Sequence, residues 1–177
     1  MLITQTPSNG LIFFSILYRE DLFEENFFKK KLAALYGDMI VFKPQNNPLV
    51  EYYTKEMGAG LTRVFFVSSE TYPREYLLST KLKALEWENE LAQDSKRMAN
   101  IDTGLISPEN FILATTKNYS HRVYLGQNIF ADLTYQCVNG SFESLPWTYP
   151  DYVDLEKLEF LNWCRNYLLM QGRVKTL

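Results

Sequence analysis

An α+β fold is predicted by three features of this sequence. Apolar strand-length runs alternate with amphipathic helical segments, Asn139-Gly140 lies between two such runs as a two-residue hairpin turn, and 177 residues suffice for one core but not comfortably for two. The runs come in the order strand, helix, strand, strand, helix, strand. That is the βαββαβ order of a ferredoxin-like sandwich, expected here to be extended by an additional antiparallel β-hairpin and a C-terminal helix in a single domain over residues 1–177.

Residues 1–9 offer little to bury and are expected to form a loose N-terminal arm. Gly10 releases LIFFSILY, continuous and apolar, which suits a central strand buried on both faces. Arg19-Glu20-Asp21 ends it, and a helix is expected from Asp21 as N-cap to Tyr36, with Phe28, Leu32 and Leu35 inward. MIVFK is the second strand, PQNNP a break, and EYYTKEMGAG a connection with an extended start. LTRVFFVSS alternates as a third strand, placing Leu61, Arg63, Phe65 and Val67 on one side. A long helix is expected over Pro73 to Asp94, followed by a turn at Asn100-Ile101-Asp102-Thr103-Gly104 and one helical turn at Ser107-Pro108-Glu109. FILATT is the candidate fourth strand, and HRVYL and NIFADLTYQCV are two more. Strict alternation in the last puts Asn128, Phe130, Asp132, Thr134 and Gln136 on one face and Ile129, Ala131, Leu133, Tyr135 and Cys137 on the other. Asp154 caps a final helix to about Met170. The sheet is expected to be mostly antiparallel, with its helices on one face.

Composition excludes several classes. A net charge of -3 argues against a general nucleic-acid binder, which needs a basic excess. The apolar run Leu11 to Leu17 is too short to span a membrane and follows no positive residue, so a cytoplasmic protein is expected, with Cys137 and Cys164 as free thiols. One histidine leaves structural zinc without enough ligands and removes two-histidine mechanisms; no metal or cofactor is assigned. Lys29 to Lys31 and the Glu86, Glu90 pair read as solvated helix faces.

The chemistry concentrates in TTKNYSHR. Thr115, Thr116, Lys117, Asn118, Tyr119, Ser120, His121 and Arg122 run without an apolar residue between two apolar strands. Lysine, arginine and histidine beside hydroxyls and loop amides are the groups that bind phosphate or carboxylate, and His121 can also move a proton near neutral pH. The plain alternative is a polar turn. Asp132 either orients His121 or pairs with Arg122 across neighbouring strands. LPWTYPDY is an aromatic lid or, better, a wrap that seals the sheet edge, and Tyr149-Pro150 is a candidate cis bond.

The segments EYYTKEMGAGLTRVFF, NIDTGLI, LATTKNYSHRVYLG, NIFADLTY and LPWTYPDY resemble the signature pieces of a prokaryotic family, the domain of unknown function DUF4416, over nearly the whole chain. Thr103 stands where the family tends to have proline. The resemblance supplies no catalytic residues. A GTP-binding role, a label attached to some members, finds no phosphate-binding glycine loop here. The leading functional expectation is therefore a small-anion site for a nucleotide or other phosphorylated ligand, using Lys117, Arg122, Asp102, Asp132, Ser120 and Tyr119, with acid–base chemistry by His121 as a further step. A protein-interaction or scaffold domain, including a homo-oligomer, is the second expectation, and a single-stranded RNA binder the third.

Overall fold

The computed structural model describes residues 6–94 and 96–174. Of the expected N-terminal arm, residues 1–5 lie outside the described residues, and residues 6–9 are exposed and without regular structure. The elements are β1 (Leu11–Arg19), α1 (Glu25–Tyr36), β2 (Met39–Phe42), α2 (Val50–Met57), β3 (Leu61–Ser68), α3 (Tyr76–Leu91), β4 (Ala99–Ile106), β5 (Asn110–Thr115), β6 (Arg122–Gly126), β7 (Ile129–Val138), β8 (Ser141–Ser144) and α4 (Leu155–Val174). They build one eight-stranded antiparallel sheet in the order β2-β3-β1-β4-β5-β7-β6, with β8 pairing β7 beside β6. The β2-β3-β1-β4 half has the strand order of a βαββαβ unit, and β5 to β8 extend it.

β1 is central because it is apolar on both faces. Ile12, Phe14, Ile16 and Tyr18 pack with Phe28 and Leu32 of α1 and Ala84 and Trp87 of α3. Leu11 and Phe13 face the other way, with Phe65, Val67 and the α4 residues Leu161, Cys164 and Leu168. The helices therefore cover both faces, not the one expected. The final helix carries a full apolar stripe of its own, and a stripe of that kind is buried only against a sheet face still uncovered.

Several expected boundaries change for local reasons. Asp21 does not cap α1, because the Arg19 guanidinium takes its carboxylate (Nε to Oδ1 3.0 Å), and the helix starts at Glu25. The connection after PQNNP is the helix α2, not an extended start: eight residues would not hold a helix alone, but buried Met57 and a bidentate Arg97–Glu56 pair anchor it. The expected turn at Asn100 to Gly104 is strand β4. Its turn-like composition arises because Asn100, Asp102 and Gly104 alternate onto one face while Ile101, Thr103 and Leu105 face α1 and α3. FILAT is thus the fifth strand. Ser107-Pro108-Glu109 is a tight bend, with the Ser107 Oγ accepting from the Glu109 and Asn110 amides, rather than a helical turn. In β7 a bulge at Thr134 breaks the alternation, since Phe111 pairs with Tyr135 but Ile112 with Leu133. Ile129 consequently packs with the α1 and α3 side and Tyr135 with the α4 side.

Both two-residue hairpins use left-handed backbone, at Gln127-Asn128 and at the expected Asn139-Gly140. Among the described residues no helix is long and apolar enough to cross a membrane. Cys137 and Cys164 are free thiols. The Tyr149-Pro150 bond is trans.

Candidate ligand-binding cleft

A cleft opens where the sheet splits. β4 and β5 pair only from Thr103 with Ala114 to Ile106 with Phe111; beyond that point they part. On its β5 side the backbone of Ile101 then lacks a strand partner, and α3 supplies one in side chains: Glu88 Oε1 accepts the Ile101 N–H at 2.5 Å, and Lys81 Nζ donates to the Ile101 carbonyl at 3.0 Å. The gap is a cavity of about 230 Å³. Asn100 and Asp102 of β4, Leu113 to Lys117, Tyr52 and Tyr53 of α2, and Tyr149, Asp151 and Tyr152 wall it, with Arg97, Arg122 and Asp132.

Charges of both signs meet in it, and most are committed. Arg97 is fixed by Glu56 and by Asn100 Oδ1 at 2.8 Å, and that guanidinium holds the Glu56 carboxyl below its usual range. Arg122 gives Nε to Asp132 Oδ2 at 2.7 Å and Nη1 to the Lys117 carbonyl at 2.7 Å, which ties the two ends of the loop together. Its Nη2 makes no hydrogen bond among the described residues. The Lys117 ammonium is exposed and makes no hydrogen bond or ion pair among them, although its charge also helps hold the Glu56 carboxyl down.

Behind the cleft, Arg63 is 3% exposed. It donates to Ser15 Oγ (2.8 Å), Asn47 Oδ1 (3.0 Å) and Asp151 Oδ2 (3.0 Å), and lies 3.9 Å from Asp102 Oδ2. Burial pushes the Glu88 carboxyl up against the pull of Lys81, and pushes Asp151 up against the pull of Arg63 and Lys157. Burial, helped by Asp102, likewise raises the Tyr53 phenol to about 12. Two of the four carboxyl groups on the walls, Glu88 and Asp151, thereby hold a proton more readily than a solvated carboxyl does.

The profile of a known family, the domain of unknown function DUF4416, matches residues 8–167. The chain belongs to that family. No curated protein and no solved structure matches it.

In this DUF4416 chain, the residues singled out by sequence divide into two groups. Lys117, Arg122, Asp102 and Asp132 all line the cleft. His121, Tyr119 and Ser120 do not. The His121 ring stands behind Asp132, its Nε2 at 3.5 Å from Asp132 Oδ2, stacked between Trp147 (5.2 Å) and Tyr119 (6.1 Å). Tyr119 also lies under the Arg122 guanidinium, 4.6 Å away. Of the two sequence roles for Asp132, the pairing with Arg122 is formed at 2.7 Å, whereas the buried His121 Nε2 stands 3.5 Å from the same oxygen and makes no hydrogen bond among the described residues.

Sequence reading missed Arg63, Lys81, Glu88, Arg97 and Asp151. For Arg63 a signal existed, since it interrupts the apolar side of β3 between Leu61 and Phe65. Arg97 and Asp151 lie in connections, and nothing local marks them. The LPWTYPDY segment does act as an edge seal: Trp147 Nε1 donates to the Leu133 carbonyl and Thr148 Oγ1 to the Thr134 carbonyl, covering β7 between β6 and β8. The same segment also walls the cleft with Tyr149 and Tyr152.

Proposed function

We propose that this protein binds a small anionic ligand, a nucleotide or another phosphorylated compound, in the cleft between β4 and β5. The supporting observation is the pair of cationic groups on one wall, the Lys117 ammonium and the Arg122 Nη2, from which no described residue accepts a hydrogen bond. An arginine already oriented by a carboxylate and a backbone carbonyl meets an anion at little further entropic cost. Tyr52, Tyr53 and Tyr149 supply aromatic walls for a planar or sugar body. At about 230 Å³ the cavity suits a metabolite rather than a polymer.

Asp102 and Glu88 line the cleft within reach of an occupant, while His121 stands outside it, 3.5 Å from the Asp132 carboxylate that holds Arg122. Two unpaired cysteines fit a reducing, cytoplasmic compartment.

The test is a thermal-shift screen of nucleotides, sugar phosphates, carboxylates and divalent metals. An anionic ligand at a hundred times its dissociation constant should stabilise the wild type by about 2.7 kcal/mol. Lys117→Ala, a change at an exposed side chain, should reduce that shift, and Lys117→Glu should abolish it. A panel that shifts nothing, or shifts all three proteins alike, overturns the assignment.

A further inference from the structure

One edge of the sheet is blunted only by an irregularity, the register shift between Tyr124 and Gly126 of β6. Among the described residues β6 ends the strand order, and its outer N–H and C=O groups have no strand partner. Its exposed side chains are apolar: Val123 is 67% exposed, Tyr124 58%, and Leu125 is exposed beside them. Tyr119, Trp147 and Tyr149, also exposed, continue the patch through the stacked His121 ring and the Arg122 guanidinium. Val123 and Tyr124 are consecutive in the strand and point to opposite faces, so the apolar exposure flanks this edge on both sides of the sheet. Edge strands are normally blunted by charge or proline. The opposite edge, β2, is four residues long and runs directly into Lys43-Pro44, and β8 carries exposed Glu143. From Val123 to Asn128 there is neither a charge nor a proline.

We propose that β6 is the two-fold interface of a homodimer, pairing antiparallel with β6 of a second copy so that the two sheets run on as one. The occupant follows from self-complementarity. A two-fold interface sets a strand against itself, which repels where the strand is charged; this stretch is uncharged, and the Arg122 at its start is already paired with Asp132. An antiparallel join also continues the sense of every other pair in the sheet. The proposal is independent of what the cleft binds.

The experiment is the solution mass of the full chain by sedimentation equilibrium, alone and in charge-swapped pairs. Wild type should sediment at twice the 20.8 kDa chain mass. Tyr124→Lys and Tyr124→Glu, at the centre of the strand, should each be monomeric, and mixing them should restore a dimer that neither forms alone. Amide exchange keeps the test open if a variant misfolds: in wild type, residues 123–126 should gain protection on going from dilute to concentrated solution. A wild type that stays monomeric up to its solubility limit overturns the proposal and leaves the edge to a foreign strand. So does a dimer that survives both substitutions, or one whose amides at 123–126 exchange equally at both concentrations.

Discussion

Glu88 is a residue with two duties, and pH separates them. Its carboxyl caps the Ile101 amide, yet burial raises its pKa above the ordinary glutamate value of 4.5. The fold therefore favours the neutral form: its contribution to stability is complete below that ordinary value and is lost as pH rises through the raised one. Glu88→Gln keeps an oxygen for the Ile101 amide and has no charge to lose. Its urea midpoint should gain on that of wild type steadily from acid to neutral pH, and a difference independent of pH would contradict the buried-carboxyl account. Glu88→Ala, which leaves the amide unbonded, should cost about 1–3 kcal/mol. At this scale the sequence showed half of the cleft. Lys117, Arg122 and their neighbours stood out because polar groups crowd a short loop between apolar strands. Glu88 looked like any other acid on an amphipathic helix, because a side chain that replaces a missing strand is recognisable only once the strand is known to be missing.

Among the elements, β4 was the hardest to read and matters most to the cleft. Asn, Asp and Gly within five residues are turn composition by any local rule. They occur in a strand here because alternate positions face a polar gap, and because Gly104 lies where β5 comes closest. A Cβ at Gly104 would sit 2.8 Å from the Ile112 carbonyl oxygen and 2.9 Å from a ring carbon of Phe111. Gly104→Ala must push β5 outward at the last stretch where the two strands pair, and should lower stability by about 1–3 kcal/mol in urea unfolding. β1, β3 and both hairpin strands were legible because burial on two faces and turn chemistry leave continuous or alternating patterns. α2 was not, since Tyr52-Tyr53 reads as strand and its helix depends on the distant Arg97.

At the scale of the whole molecule the sheet divides two cores, each closed by different helices. Leu161 is wholly buried in the second one, so Leu161→Ala should cost roughly 2–5 kcal/mol, measurable by chemical unfolding. The antiparallel sheet and its βαββ start were readable from strand order. That helices close both faces was not, because a helix's apolar stripe shows that it docks but not on which side of a sheet. The division also has a consequence for biosynthesis. β1, β3 and β4 can assemble with α1 and α3 as soon as residue 106 has left the ribosome, but the face bearing Phe13, Phe65 and Val67 waits for α4. At typical elongation rates that interval is on the order of 3–14 s. Throughout it a nascent chain displays a broad aromatic surface, the kind of surface a ribosome-associated chaperone holds until the last helix arrives.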